Sequence, residues 1–290
     1  MRFGLQLPTY GAGADPQTIV EIARRGEELG FESVWVNDHV LVPSTLSRYA
    51  DILEALTTLV WVAAQTERLR LGTSVLILPQ RDPILAAKQL ATLDVLSGGR
   101  LIVGLGAGYV PEEFEFLGAP FEQRGKRIEE QIALLRALWG GERSFDGEGF
   151  HFEDALFGPL PPQGAALPIW IGGSSRPAIR RAATLADAWH PAHLDRAALA
   201  EKRKELEEFA QGRPVGINLK LRVALWGEPP PAPGYQMVGD AVQVRDELAT
   251  YANDGLDDFM VVFPNETIEE FREMMEIFAA EVMPALNRPS

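Results

Sequence analysis

The chain predicts one (β/α)8 TIM barrel over residues 1–290, with an insertion at about 140–168 after the fourth unit. Three observations predict it. Short runs rich in β-branched and aromatic residues alternate with longer stretches of helical period, the pattern of parallel strands joined by crossover helices. The alternation yields eight strand–helix units. A length of 290 residues suits one such barrel, typically about 250 residues with insertions tolerated. An open doubly wound sheet would show the same local patterns, and the unit count favours the barrel.

The first strand is 2–7, ended by Pro8. Asp15 and Pro16 supply an N-cap and a first-turn proline for a helix whose apolar face is Ile19, Ile22, Ala23 and Leu29, and Gly30 stops it. The second unit is a strand at 31–36 and a helix at 51–65, with Ile52, Ala55, Leu56, Leu59 and Ala63 inward. Residues 69–78 read as one continuous third strand, Asp82 and Pro83 begin a helix to about Leu96, and Gly98-Gly99 leads into a fourth strand at 100–105. A longer helix at about 122–139 puts Ile128, Ile132, Leu135 and Leu138 on one side. The irregular stretch 140–168 follows, and within it 144–152 alternates around Asp146-Gly147 as a small hairpin. Alternation resumes with a strand at 169–171, a helix at 175–185, a strand at 188–189, a charged helix at 196–211 and a strand at 217–225. After the breaker run 228–234, Asp240 caps a helix to about Asn253, 259–263 is the eighth strand, and 266–282 closes the chain as a helix.

Composition restricts the chemistry. With 46% apolar and 23% charged residues, the chain reads as globular with material for a large core. Zero cysteines exclude disulfides, cysteine-bound zinc, iron–sulfur clusters and thiol nucleophiles, so any redox chemistry needs an added cofactor. A net charge of −14 argues against nucleic-acid or anionic-membrane partners. No apolar run approaches the roughly 20 residues of a membrane span. The segment 2–7 is too short and interrupted for a signal peptide, so the expected location is the cytoplasm.

Barrel enzymes carry their sites on the loops after the strands, and here polar groups and glycines gather at those positions. Asp38-His39 follows the second strand, where an imidazole can exchange protons near neutral pH beside a carboxylate. Gly104, Gly106 and Gly108 end the fourth strand; Tyr109 stands where a dinucleotide fingerprint would need its third glycine, so these glycines read as room for a flat ligand or as a tight turn. Gly172-Gly173-Ser174-Ser175 runs from a strand into a helix and reads either as an anion site, favoured by Arg176, Arg180 and Arg181, or as an ordinary serine cap. His190 and His193 flank Pro191 and lack a completing carboxylate, so no metal is expected; His151 reads as a surface or packing residue.

Taken together, the chain resembles the luciferase-like monooxygenase superfamily, in the branch that uses the deazaflavin coenzyme F420. The resemblance runs nearly end to end. It rests on Val34-Trp35-Val36-Asn37-Asp38-His39, Leu71-Gly72-Thr73-Ser74-Val75, Gly98-Gly99-Arg100 leading to Gly104-x-Gly106-x-Gly108, Arg124-x-x-Arg127-x-x-Glu130, and Pro168-Ile169-Trp170-Ile171-Gly172-Gly173-Ser174. It implies a (deaza)flavin at the C-terminal rim, with Asp38, Ser74, Val75, Gly106, Ala107 and Gly108 about the ring and Gly172, Gly173, Ser174 and Ser175 at its phosphate end. It also implies a cis peptide at Ser74–Val75, with His39 as the catalytic acid or base. The implied activity is F420-dependent hydride transfer between the deazaflavin C5 and a small-molecule substrate. The alternatives are an FMN-dependent two-component monooxygenase or a non-catalytic flavin-binding protein. The compact length of 290 residues favours F420. Ala107 stands where sugar-oxidising relatives carry an acid, which argues against glucose 6-phosphate. A homodimer is the implied assembly, and the aromatic loops around the rim suggest an apolar or conjugated substrate.

Overall fold

A computed structural model describes residues 1–225, 236–256 and 258–286. In chain order the main elements are β1 (Arg2–Gln6), α1 (Pro16–Leu29), β2 (Ser33–Val36), α2 (Ala55–Ala63), β3 (Arg70–Thr73), β4 (Leu76–Ile77), α3 (Pro83–Ser97), β5 (Leu101–Gly106), α4 (Pro111–Phe116) and α5 (Arg124–Trp139). They continue with β6 (Phe145–Asp146), β7 (His151–Phe152), β8 (Ile169–Gly172), α6 (Arg176–Leu185), β9 (Ala188–His190), α7 (Arg196–Ala210), β10 (Gly216–Leu225), β11 (Met237–Gly239), α8 (Ala241–Asn253), β12 (Asp258–Val262), α9 (Ile268–Ile277) and α10 (Met283–Leu286). Parallel pairing runs β1–β2–β3–β5–β8–β9–β10–β12 and returns from β12 to β1, so eight staves close into a barrel. β4 carries on the third stave against β5, and β11 adds to β10.

The expected caps form. Asp15 accepts from the amides of Gln17 and Thr18, Asp82 from Leu85, and Gly30 and Gly98 end α1 and α3 with φ of 90° and 70°. Four boundaries differ from expectation for local reasons. The third strand is not continuous from 69 to 78, because the ladder breaks at Ser74–Val75 between β3 and β4. The second helix begins at Ala55 rather than 51, since the Leu53 amide is spent on the Thr9 carbonyl at 3.0 Å. α5 begins at Arg124, after Gln123 at a φ of 59°. The last helix starts under a Thr267 cap and widens into a π-turn over Phe278–Val282. The breaker run 228–234 and the rest of the loop 226–235 lie outside the described residues.

Two packed layers result. The outer one lies between staves and helices, for example Phe3, Phe31 and Phe278, with ring centroids 5.5 and 6.3 Å from Phe278. The inner one fills the lumen with Trp35, Ile102, Trp170, Ala188 and Met260, the two indoles stacked at 4.9 Å. The sequence makes room for Trp35 with glycines: a Cβ on Gly72 would sit 2.1 Å from its ring, and one on Gly4 2.6 Å from its nitrogen. Trp35 Nε1 donates to Ser33 Oγ at 2.8 Å, so its one polar atom is satisfied. With the lumen plugged, the C-terminal mouth is left for chemistry.

Candidate active site

The third stave supplies the floor of the mouth. The Ser74–Val75 peptide is cis. Val75 stands where two glycines leave space, since a Cβ on Gly106 or Gly172 would lie 2.5 or 2.8 Å from its methyls, and Gly104 clears the backbone before it, a Cβ there lying 1.9 Å from the Thr73 carbonyl oxygen. Gly108, at a φ of 80°, turns the chain after β5, and its carbonyl accepts from Arg124 Nε at 3.0 Å. Ala107 is partly buried against the core.

Asp38 and His39 leave β2 in different directions. The Asp38 side chain is fully buried and its two oxygens are held by Arg81 Nη1 and Nη2 at 2.8 and 2.7 Å and by the Ile77 amide at 2.8 Å. It therefore anchors β4 and the start of α3, and its oxygens are spent on protein groups. His39 is 11% exposed, stacks on Tyr49 at 4.4 Å, and places Nδ1 2.6 Å from Glu113 Oε1. Glu113 comes from α4, is nearly buried, and its second oxygen accepts from Gln80 Nε2 at 3.4 Å. A carboxylate on Nδ1 accepts the proton there and leaves Nε2 as the atom available for proton exchange.

At the centre of the mouth, Lys220 of β10 reaches across to the ends of three other staves. Its Nζ donates to Gln6 Oε1 at 3.1 Å, Asn37 Oδ1 at 3.0 Å, and Ser74 O and Oγ at 3.3 and 3.0 Å. Desolvation and the neighbouring Arg222 guanidinium push its ammonium down to about 7. Ser74 Oγ also lies 2.9 Å from His190 Nε2, while His190 Nδ1 lies 3.0 Å from the Asn218 carbonyl. A carbonyl only accepts, so Nδ1 carries the proton and Nε2 accepts from the Ser74 hydroxyl. Burial, together with Lys220, pushes His190 down to about 4, which keeps it neutral. It stacks on Trp35 at 5.4 Å and so caps the lumen.

Gly172, Gly173, Ser174 and Ser175 lead into the ten-residue α6, with Gly173 at a φ of 102° and Ser175 Oγ accepting from the Ala178 amide at 3.4 Å. Among the described residues, the Gly173, Ser174 and Ser175 amides have no backbone acceptor. The arginines expected to favour an anion here are engaged elsewhere. Arg180 and Arg181 pair with Glu129 at 2.9 and 3.3 Å, and Arg176 lies over Phe209 near Glu208. Their side chains follow α6 along the barrel wall. His193 Nδ1 donates to Gln236 Oε1 at 2.9 Å, separate from the buried His190, and exposed His151 lies 3.1 Å from Asp146 in the hairpin. A cavity of about 330 Å³ opens at the mouth, lined by Tyr10, Arg48, Arg222, Phe263 and Asn265 among others. A larger groove of about 480 Å³ lies outside the barrel beside α1 and Trp61, away from the strand ends.

Residues 1–227 match the luciferase-like monooxygenase family. The chain belongs to the luciferase-like monooxygenase family. Within its relatives, an F420-dependent glucose-6-phosphate dehydrogenase of Kineococcus radiotolerans is 36% identical over 172 residues, covering 57% of this chain and 50% of that protein. The luciferase-like fold aligns with the coenzyme F420-dependent tetrahydromethanopterin reductase of Methanopyrus kandleri at a TM-score of 0.82 and 18% identity, covering 99% of both chains. It aligns equally with the FMN-bound oxygenating constituent of 3,6-diketocamphane monooxygenase from Pseudomonas putida, at a TM-score of 0.83 and 16% identity, covering 100% of this chain and 99% of that one. Among the described residues of this luciferase-like chain, no helix is long and apolar enough to cross a membrane.

Proposed function

We propose that this oxidoreductase is F420-dependent and moves a hydride between the deazaflavin C5 and a small, apolar or conjugated organic substrate. The observation that carries the proposal is the His39–Glu113 pair at 2.6 Å on the C-terminal rim, a proton-exchanging group held in one orientation beside a glycine-lined floor. F420 when bound supplies the hydride acceptor or donor, chemistry that no side chain of a cysteine-free protein offers. The residues present suit such a group: glycines at 104, 106 and 172 keep side chains off the Ser74–Val75 turn, and the amides of Gly173–Ser175 suit a phosphate at the α6 N-terminus. His39 holds or delivers one proton at Nε2, Glu113 fixes its tautomer, and Tyr49 restricts rotation of the ring. Similarity to an F420-dependent dehydrogenase supports the coenzyme assignment, while Ala107 argues against the sugar phosphate that the relative's name states.

The likeness to an FMN-bound monooxygenase supports a second reading, a two-component FMN enzyme. Equilibrium titration of the purified protein with each cofactor separates the two. Saturable F420 binding with much weaker FMN binding is expected, and the reverse would reject the F420 assignment. His39→Ala should then lose about 10²–10⁴-fold in turnover while its cofactor affinity stays within about threefold. Absence of turnover in the wild type with a range of hydride donors would point to a flavin-binding protein. We also propose a homodimer, supported by exposed apolar side chains on the neighbouring helices α2 and α3.

A further inference from the structure

The Lys220 ammonium stands out because of what surrounds it. Asn218, Lys220 and Arg222 alternate along β10 with Ile217, Leu219, Leu221 and Val223, which pack in the outer core, so the polar set faces the lumen side. Nζ has four neutral oxygens within 3.3 Å, from Gln6, Asn37 and Ser74 at the ends of β1, β2 and β3. The ionisable groups near it are Arg222 on its own strand and His190 and His193 from the β9 side, all cationic when protonated. Among the described residues no carboxylate pairs with it. A cation placed at the centre of a binding mouth without a counter-charge is an arrangement that gains most when the missing charge arrives with the ligand.

Flavins and deazaflavins change charge when they react. Uptake of two electrons and one proton, the equivalent of a hydride at N5 or C5, leaves one negative charge on the pyrimidine half of the ring. Oxidised FMN carries no such charge, and oxidised F420, whose 8-hydroxyl ionises, spreads its charge along the conjugated ring, so in both cofactors reduction concentrates negative charge on the pyrimidine half. We infer that Lys220 is the group through which this site favours the reduced, anionic form of its cofactor over the oxidised form. This rests on the cofactor reading above. Lys220 also donates to both oxygens of Ser74, and the Ser74 hydroxyl proton is committed to His190, so Lys220 cannot relieve its charge through that chain. The depressed ammonium agrees with the geometry: it is held near its titration point until an anion recharges it.

The test compares affinities rather than turnover. Full-length wild type, Lys220→Met and Lys220→Arg are titrated with oxidised and with chemically reduced F420, and in parallel with oxidised and reduced FMN. Lys220→Met should weaken the reduced form at least tenfold while changing the oxidised form less than threefold. A tenfold loss confined to the reduced form lowers the potential of the bound two-electron couple by about 30 mV. Lys220→Arg, which keeps the charge, should restore most of the preference. Equal losses for both redox forms, or no loss, would reduce Lys220 to a structural residue and overturn the inference. If Lys220→Met does not fold, Lys220→Gln, which keeps a polar head among the same oxygens, carries the same comparison. Wild-type binding of FMN in place of F420 would reject the coenzyme assignment alone, with this inference then decided by the FMN ratio. Binding of neither cofactor would overturn both.

Discussion

His190 carries a cost that depends on pH. It is 2% exposed, stacks on Trp35, and titrates at about 4 in the folded protein against an ordinary value near 6.5. Between these values the unfolded chain binds the proton and the folded chain does not, so stability falls as pH is lowered from about 6.5 to 4. The full loss is up to about 3 kcal/mol. Urea unfolding of the wild type across this range should show the decline, and His190→Gln should flatten it; an unchanged slope would show that other groups dominate. Lys220 acts in the same sense at higher pH, adding stability as pH rises from about 7 toward the usual lysine range. At this scale the sequence announced His39 and hid its partner. Glu113 lies in Pro111–Phe116, where Glu112, Glu113 and Glu115 look equally solvated, and only the turn of α4 carries Glu113 inward. Lys220 was hidden by the alternation itself, because a polar face on a strand reads as solvent-facing, whereas in a barrel it can face the lumen mouth.

The insertion is tied to the barrel by one buried carboxylate. Asp94 of α3 is fully buried and accepts from Gln163 Nε2 at 2.8 Å, the Gln163 amide at 3.2 Å and the Leu101 amide at 3.3 Å. It thereby joins α3, the first residue of β5 and the end of the stretch 140–168. Asp94→Ala removes the acceptor of the Gln163 and Leu101 amides, while Gln163 Nε2 keeps the Leu101 carbonyl at 2.9 Å, and should cost about 2–4 kcal/mol. Limited proteolysis should then cut the insertion faster than in the wild type, and unchanged cleavage with unchanged stability would refute this tie. Caps and glycine stops made most elements legible, since Asp15, Asp82 and Asp240 each accept helix amides as their positions suggest. The break in the third stave was not legible from local pattern, because residues 69–78 hold no proline and keep strand-forming residues on both sides of Ser74–Val75. It was indicated only by the family resemblance. β11 was missed because three residues after a proline-rich run give too little period to read.

On the molecular scale, barrel closure followed from counting units, because eight staves of mostly buried residues satisfy every edge. The outside is less even. Trp61 on α2 and Leu85 and Leu96 on α3 are 48%, 57% and 61% exposed, accompanied by Val60, Ile84 and Val95. Such an apolar surface suits the proposed homodimer. Light scattering should give twice the 31.9 kDa chain mass, and Trp61→Glu with Leu85→Glu should give the single-chain mass; a monomeric wild type would reject the dimer. The floor of the mouth has a consequence for descent. Val75, Gly104, Gly106 and Gly172 come from three staves, yet the valine methyls occupy the volume that a side chain at position 106 or 172 would need. These positions cannot drift independently. A lineage that acquires alanine or serine at 106 or 172 must first or simultaneously shrink residue 75, so divergence here proceeds by linked replacements rather than single steps.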